Sequence, residues 1–290
     1  HLLFAAPSPE TAHRDQVLLA RLSQLLDTRA VTPEDRSQIY YELGVIYDRL
    51  VMEDMARSMF VNALAEKADL APAHNFLGIY MGTDGEFQDA ITYFNEALEL
   101  EPDEYYANFN RGIVLYYGGR FKLAREDMLA FMRRVPGDPY ILLWTYMVEC
   151  ELYGSERARA ALALRYDALS EEKRQAEWGF NLVKLYLGRL SESRFFTETA
   201  TYRDRPALLN EHLCEGYFYL AKLKQFEGQD KLAYDYYRLA VGTHRYGFLE
   251  YRYGRMEMAR LEQRYGLRRS LKPEEPQESA RPGGDTPAEQ

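Results

Sequence analysis

Ser170 and Lys173 have a spacing that some enzymes use for catalysis. In an SxxK arrangement the lysine can act as the base for a serine nucleophile. In this chain the serine is followed directly by Glu171 and Glu172. A serine ahead of two acidic residues is typical of a helix start, because the hydroxyl accepts a free backbone N–H and the carboxylates lie at the positive end of the helix dipole. We therefore interpret Ser170 as a helix cap and predict that the chain is not an enzyme.

The other chemically capable residues lack the spacing of a site. The sequence contains no glycine-rich phosphate loop, no GxSxG motif and no HExxH motif. Cys150 and Cys214 are far apart and form no CxxC or Cys/His pattern of the kind that binds zinc. Both fall in helical-looking stretches, which favours two small buried side chains over an intramolecular disulfide. We expect no catalytic residue, no cofactor and no metal ion. The histidines are equally scattered: His1, His13, His74, His212 and His244.

Composition and charge indicate a folded protein that does not bind nucleic acid. Of the 290 residues, 47% are hydrophobic and 28% are charged, which is the balance of a globular chain and excludes wholesale disorder. The net charge of −9 argues against a surface for phosphate groups, which needs clustered lysine and arginine. No apolar run reaches the about 18 residues that a membrane-spanning helix requires.

A repeat organises the first half of the chain. Ser37, Ala71 and Tyr105 occupy equivalent positions, since 71 − 37 and 105 − 71 both equal 34, which is the period of the tetratricopeptide repeat (TPR). Positions 8 and 20 of each unit are small, which lets two antiparallel helices approach to about 8–10 Å. The sequence therefore predicts an all-α fold, a TPR helix-turn-helix solenoid with degenerate central repeats and helical caps. The small residues are Gly44, Gly78 and Gly112 at position 8, and Ala56, Ala90 and Ala124 at position 20.

The repeat signal weakens in the middle of the chain, where we expect helices from Glu177 to Leu187 and from Ser191 to Tyr202, and then returns. A unit from Cys214 again has small residues in register, among them Ala221 and Ala233. We expect a final helix from about Phe248 to Gln263 to cover the exposed face of that unit, because an end repeat cannot bury its own apolar side. The predicted segments are an extended lead-in at 1–13, an N-terminal helix at 14–30, three TPR units at 37–138, degenerate helical repeats at 139–213, a C-terminal TPR with its capping helix at 214–264 and a disordered tail at 265–290.

The N-terminal helix carries an apolar stripe. Two hypotheses explain it: the stripe caps the first repeat of its own chain, or it packs on a second copy and forms a homodimer. The sequence leaves both open. The candidate dimerisation residues are Val17, Leu18, Leu22 and Leu25.

TPR solenoids bind partners in a concave groove lined by positions 2, 5, 9, 12 and 13 of each unit. Position 9 is Val45, Ile79 and Ile113 here, so the groove lacks the asparagine of the clamp that grips chaperone carboxylates. An aromatic cluster in the third unit, formed by Tyr106, Phe109, Tyr116 and Tyr117, either anchors an apolar peptide or helix, or is covered by the next helix of the chain. The candidate protein-binding residues are Tyr41, Val45, Asp48, Arg49, Asn75, Ile79, Tyr106, Phe109, Ile113, Tyr116 and Tyr117.

Several stretches outside the TPR consensus resemble one bacterial family, the NlpI lipoproteins. The resemblance covers most of residues 14–263. The stretches that carry it are Asn110 to Arg120, Asp138-Pro139, Leu143-Trp144, Glu177 to Gly179, Tyr186 to Gly188 and Glu211 to Leu213.

The resemblance implies an adaptor at the bacterial cell envelope. It implies a lipid-bearing cysteine ahead of His1, which is consistent with interpreting the sequence as a mature or trimmed product. It further implies a homodimer on the periplasmic face of the outer membrane. There the protein would bring a C-terminal-processing protease to peptidoglycan endopeptidases and so limit cell-wall cleavage, acting through proximity rather than chemistry. The alternative is a cytosolic TPR scaffold that binds other proteins.

Overall fold

The structure, a computed structural model, describes residues 9–26 and 31–266. Within these ranges the chain forms fifteen α-helices and no strand, which confirms the predicted all-α TPR solenoid. The first seven helices are α1 (Pro9–Leu26), α2 (Pro33–Arg49), α3 (Glu53–Glu66), α4 (Ala71–Asp84), α5 (Phe87–Leu100), α6 (Tyr105–Tyr117) and α7 (Phe121–Arg134). The remaining eight are α8 (Pro139–Tyr153), α9 (Ser155–Asp167), α10 (Glu171–Ala176), α11 (Phe180–Tyr186), α12 (Glu192–Thr199), α13 (Pro206–Phe226), α14 (Asp230–Val241) and α15 (Leu249–Tyr265), with a 3-10 helix at Ala200–Asp204 after α12.

The first three repeats are helix pairs held close by the glycine at position 8. A Cβ atom at Gly44 would lie 2.6 Å from Cε1 of Phe60, and one at Gly78 would lie 2.8 Å from Cε1 of Phe94. Both distances are too short for a real contact, so glycine is needed where the second helix of each pair presents its large aromatic side chain. The register predicted from the sequence is therefore the register of α2/α3, α4/α5 and α6/α7.

The turn inside each pair uses a left-handed residue. Gly85 has φ +88° and Gly119 has φ +73°, and each donates its backbone N–H to the carbonyl three residues earlier. In the first repeat the same position is Val51, with φ +64° and the same hydrogen bond to Asp48. Valine is branched at Cβ and crowds the backbone in this conformation. The first turn therefore stores strain that the other two turns avoid.

The third repeat packs differently from the first two. Arg111 replaces the usual leucine and forms a bidentate pair with Asp127 of α7, with both N···O distances 2.8 Å. Phe131 replaces the usual alanine, and its ring lies 5.1 Å from that of Phe109. An ion pair and an aromatic contact thus replace apolar packing, and the helix pair is retained.

The region from α8 to α12 contains one more helix than the sequence indicates. The predicted helix at 177–187 is α11, and the one at 191–202 is α12 with its 3-10 extension. Between α9 and α11 lies the short α10, which begins at Glu171 directly after its N-cap Ser170. The Ser170 hydroxyl accepts the backbone N–H of Lys173 at 3.2 Å, while the Lys173 ammonium pairs with Glu177. Ser170 is therefore the helix cap that its acidic neighbours predict.

The N-terminal helix caps the first repeat of its own chain. Leu22 of α1 is buried with Leu43 and Ile46 of α2, and Asp15 pairs with Arg49, whose Nη2 lies 2.7 Å from Oδ1. Helix α1 begins at Pro9, so residues 9–13 are helical and the predicted extended lead-in is corrected there. Residues 1–8 and 27–30, and the predicted tail from 267 onward, lie outside the described residues.

Candidate partner-binding surface

Helix α15 crosses the concave face of the first three repeats. Arg252 donates a hydrogen bond to Asp48 of α2 at 2.5 Å, and the Tyr80 hydroxyl of α4 donates to the same oxygen at 2.5 Å. The ring of Tyr253, the next residue of α15, stacks on Tyr117 of α6 with centroids 4.9 Å apart and an interplanar angle of 11°. The last helix covers α14, as predicted, and also closes the solenoid against its own beginning.

A buried ion pair fixes the middle of α15. Lys222 of α13 pairs with Glu257, and both side chains are less than a tenth exposed. The Lys222 ammonium also lies 4.6 Å from the ring centre of Tyr117 and 5.1 Å from that of Tyr116. Gln225 donates a further hydrogen bond to the Glu257 carboxylate at 3.4 Å. Removing one of the two charges would leave the other buried without compensation, so the pair holds α15 firmly in this place.

The residues predicted to line the groove at positions 12 and 13 contact other parts of the same chain. Asp48 binds Arg252 of the same chain, and Tyr117 is stacked beneath Tyr253. Arg49 pairs with α1 instead of facing the groove. Tyr116 packs edge-on against Trp144 of α8 with centroids 5.9 Å apart. Within the aromatic cluster, Tyr116 and Tyr117 are thus covered by α8 and α15 of the same chain, whereas Tyr106 stays exposed.

The groove residues nearer the starts of the first helices have different surroundings. Tyr106 is 54% exposed and lies beside Tyr105 and Phe131. Asn75 accepts a hydrogen bond from the Asn110 amide across two repeats at 3.2 Å. The others are buried or half-buried in the hydrophobic clusters. Those residues are Tyr41, Val45, Ile79, Phe109 and Ile113, of which Ile113 is fully buried.

A cleft of about 1070 Å³ lies between α15 and the turn that joins α4 to α5. We call it the α15 cleft. One wall is formed by α15 from Arg252 to Gln263. The opposite wall comes from Phe87, the α4–α5 turn and Glu53, whose carboxylate lies 3.4 Å from Arg255. The α15 residues that line the cleft are Arg252, Arg255, Met256, Met258, Ala259, Arg260, Glu262 and Gln263, and the turn contributes Thr83, Asp84 and Gly85. Of these cleft residues, only Thr83 occupies a predicted TPR groove position, which is position 13 of the second unit.

Two carboxyl groups near the start of α15 have raised pKa values. Glu215 of α13 is 14% exposed at its side chain, and Glu250 lies in the first turn of α15. Burial and the charge of the other carboxylate raise the pKa of Glu250 to about 8. Burial also raises the pKa of Glu215 to about 7, with Glu211 adding to the effect. No sequence motif marks this pair, because the two residues come from helices that meet only in the folded chain.

The stretches that carry the family resemblance pack against one another around the same junction. The Trp178 ring stacks on His212 with centroids 4.2 Å apart and an angle of 5°. A Cβ atom at Gly179 would lie 2.7 Å from Cγ of Pro139, so that glycine lets the loop reach α8. The Tyr186 hydroxyl donates to the Tyr219 carbonyl at 2.6 Å. These residues form a packed junction between α8, α11 and α13 rather than an open binding surface.

The described residues form neither a metal-binding group nor a membrane-spanning helix. Among residues 9–26 and 31–266, no group of histidine, cysteine or acidic residues is placed to hold a metal ion. No helix in these ranges is both long and apolar enough to cross a membrane. Cys150 and Cys214 are free thiols, and Cys214 is buried.

Comparisons with known proteins bear on the fold. No protein-family model matches the chain. The crystal structure of the apo form of RapI is 12% identical, with 82% of this chain and 95% of RapI covered and a TM-score of 0.59. A crystal structure of MamA is 16% identical, with 60% of this chain and 100% of MamA covered and a TM-score of 0.50. Together with the repeat and the stacked helix pairs, these likenesses define the chain as an all-α TPR solenoid.

Proposed function

We propose that the protein is a non-enzymatic TPR scaffold that binds segments of other proteins, and that the α15 cleft is a place where it does so. The observation that carries this proposal is the cleft itself, in which the exposed Arg255 and Arg260 and the half-buried Met256 of α15 lie opposite Phe87. Arginine, methionine and aromatic residues are the types enriched at protein interfaces. Guanidinium groups can bind backbone carbonyls and carboxylates of an extended segment, while Met256 and Phe87 contact its apolar side chains.

The particular role that we propose is that of an envelope adaptor. The resemblance to the NlpI lipoproteins supports a protein that is lipid-anchored at the periplasmic face of the outer membrane. It would bring a C-terminal-processing protease to peptidoglycan endopeptidases and so regulate cell-wall turnover and cell division. Holding two proteins together raises their effective concentration, so this role needs binding surfaces and no catalytic residue.

A reconstituted degradation assay tests the adaptor role. Purified protease and endopeptidase are mixed with and without this protein, and the loss of endopeptidase is followed over time. We expect faster loss with the protein present. An unchanged rate, together with no measurable binding to either component, would contradict the adaptor role and favour the alternative of a cytosolic scaffold. The codons upstream of His1 distinguish the two compartments, since a lipoprotein signal excludes the cytosol.

A filled cleft tests the binding site separately. Ala259 is exposed in the middle of the α15 face, so Ala259→Trp fills the cleft without altering the core. We expect its affinity for the bound component to fall by about tenfold or more, which corresponds to about 1.4 kcal/mol. Ala65→Trp is the matched control, because Ala65 is an exposed alanine of α3 outside the cleft. Equal affinities of the two variants would show that the binding site lies elsewhere on the scaffold.

We also propose that α1 forms a homodimer contact. Leu22 is buried in the chain's own first repeat, but Val17 is 55% exposed and Leu18 is 37% exposed. Leu25 of the predicted stripe is 46% exposed. Sedimentation velocity of Val17→Glu with Leu18→Glu should show a monomer where the wild type is a dimer. Val61→Glu is the control, since Val61 of α3 is 51% exposed and its substitution should leave the dimer intact. A wild-type monomer would refute this contact.

A further inference from the structure

Gly266 places the residues that follow it at the edge of the α15 cleft. It ends α15 in the left-handed conformation, with φ +63°, and it is one of the residues that line the cleft. A left-handed residue after a helix turns the chain away from the helix axis. Residues 267–278, which we call the tail segment, therefore start beside the cleft and can return along α15 without a further connection.

The tail segment is long enough to cover the arginines of the cleft. Arg255 lies 11 positions before Gly266, which is about 16 Å along a helix that rises about 1.5 Å per residue. Glu274 lies 8 positions after Gly266, and an extended chain of that length spans up to about 26 Å. The carboxylates of Glu274 and Glu275 can therefore reach any point between Arg255 and the end of α15.

The cleft contains guanidinium groups that the described chain leaves poorly neutralised. Arg260 is exposed and forms no salt bridge within the part of the chain that the structure describes. Glu257, three positions earlier on α15, is already paired with Lys222. Arg255 has a single contact of 3.4 Å with Glu53, and its side chain is 52% exposed. A carboxylate from another segment would therefore meet two accessible guanidinium groups.

Two acidic residues of the lining have partners outside the cleft. Asp84 pairs with Arg57 of α3 at 2.6 Å. Glu262 accepts a hydrogen bond from the Tyr234 hydroxyl of α14 at 2.9 Å. The arginines are thus the charged groups of the lining that remain to select a ligand, and the ligand that they select is acidic.

Uncharged residues of the tail segment match the rest of the lining. Met256 and Phe87 are half-buried in the cleft, and Leu271 is an apolar residue of the segment that precedes its carboxylates. Pro273 and Pro276 flank the two glutamates. Proline reduces the conformational freedom of an unbound segment, so the segment loses less entropy when it binds.

We propose that the tail segment occupies the α15 cleft of its own chain and acts as an intramolecular inhibitor. The carboxylates of Glu274 and Glu275 bind Arg260 and Arg255, and Leu271 contacts the apolar part of the lining. A linked segment has an effective concentration of about 1 mM, so a Kd of about 100 μM for the separate segment would keep the cleft about nine-tenths filled. The inhibition rests on the proposed function, since it assumes that partners bind the same cleft, whereas the docking does not.

Disulfide formation in the full chain tests the docking. The cleft pair combines Ala259→Cys in the cleft with Gln277→Cys, which leaves the charge of the tail segment unchanged. The control pair combines Gln277→Cys with Lys231→Cys. Lys231 is exposed on α14 outside the cleft, and the neighbouring Asp230 lies 3.7 Å from Arg264 near the end of α15, so it is equally within reach. Under mild oxidation the cleft pair should form its disulfide about tenfold faster than the control pair.

The charge dependence and the contrary outcomes are measured in the same assay. Mass spectrometry of proteolytic peptides identifies the bond and separates it from reactions of the native Cys150 and Cys214. Adding Glu274→Gln and Glu275→Gln to the cleft pair changes no residue of the solenoid and should reduce the rate to about that of the control pair. Equal rates of the two pairs overturn the docking, and so does a cleft pair that keeps its rate without the glutamates. A disulfide that joins only different chains also overturns it, because a second copy would then fill the cleft.

The inhibition is measured separately, in the partner-binding assay of the proposed function. The full chain with Glu274→Gln and Glu275→Gln should bind its partner about tenfold more tightly than the wild type. An unchanged affinity in a chain whose cleft pair reacts fast would refute the inhibition and leave the docking standing. Loss of the proposed function would appear as an Ala259→Trp variant that binds partners normally, and it would not alter the disulfide result.

Discussion

Arg252 of the last helix and Asp48 of the first repeat form an ion pair with an N···O distance of 2.5 Å, although they are 204 residues apart in the sequence. The two side chains are 8% and 12% exposed, and the Tyr80 hydroxyl shares the carboxylate. The pair joins α15 to α2 across the concave face. It turns an open groove into a closed one and makes the first and last repeats neighbours.

Breaking this pair should destabilise the protein strongly. Asp48→Ala leaves the Arg252 guanidinium buried without a counter-charge and removes the acceptor of Tyr80. We expect the free energy of unfolding to fall by about 3–5 kcal/mol, measured by urea denaturation. Asp84→Ala is the control, since Asp84 pairs with Arg57 but is 45% exposed, and it should cost at most about 1 kcal/mol. Equal losses would show that Arg252 does not depend on Asp48.

Relieving the strain at Val51 should stabilise the first repeat. The αL conformation costs a residue with a Cβ atom about 1–2 kcal/mol, and glycine gives back part of this through its greater freedom in the unfolded chain. Val51→Gly should therefore raise the free energy of unfolding by about 0.5–1 kcal/mol and increase Tm by a few degrees. Calorimetry measures both. Gly85→Val makes the reverse change in the second repeat and should lower Tm. A Val51→Gly variant that is less stable than the wild type would show that Val51 is not strained.

Alanine at position 8 should have a different effect in the second and third repeats. A Cβ at Gly78 meets the rigid ring of Phe94 at 2.8 Å, whereas at Gly112 it meets the flexible Cε of Met128 at 2.9 Å. Overpacking a core costs about 1–3 kcal/mol, but alanine also favours the helix by about 1 kcal/mol over glycine. We expect Gly78→Ala to lose about 1–2 kcal/mol and Gly112→Ala to be close to neutral. Chemical denaturation measures the free energy of unfolding of both variants. A larger loss for Gly112→Ala than for Gly78→Ala would be evidence against this packing.

Stability should depend on pH through Glu215 and Glu250. Because their pKa values are raised to about 7 and about 8 in the folded chain, the folded state holds protons that the unfolded state releases. The contribution of the pair is fully present below the ordinary glutamate pKa of about 4.3 and is lost as pH rises through the raised values. The stability of Glu250→Gln relative to wild type should therefore increase between about pH 5 and about pH 8.5 in urea titrations. A constant difference across that range would refute the assigned pKa shift.

The repeat and its helix pairs follow from the sequence because they depend on local, periodic requirements. Gly44 and Gly78 recur where a second helix must come close, and Gly85 and Gly119 recur where a turn needs positive φ. Ser170 likewise reveals itself as a cap through the residues beside it. Each of these features is decided by residues within one unit of 34 positions, the spacing from Ala71 to Tyr105, so a sequence without its structure is sufficient to find them.

The closing of the groove was decided by the tertiary structure alone. The curvature of the stacked repeats determines where α15 can lie, and that curvature sums small rotations between neighbouring units that no single position records. The sequence therefore predicts that Asp48 binds a partner protein, whereas in the fold Asp48 pairs with Arg252. The α15 cleft arises in the same way, because its walls come from helices that only the completed solenoid brings together.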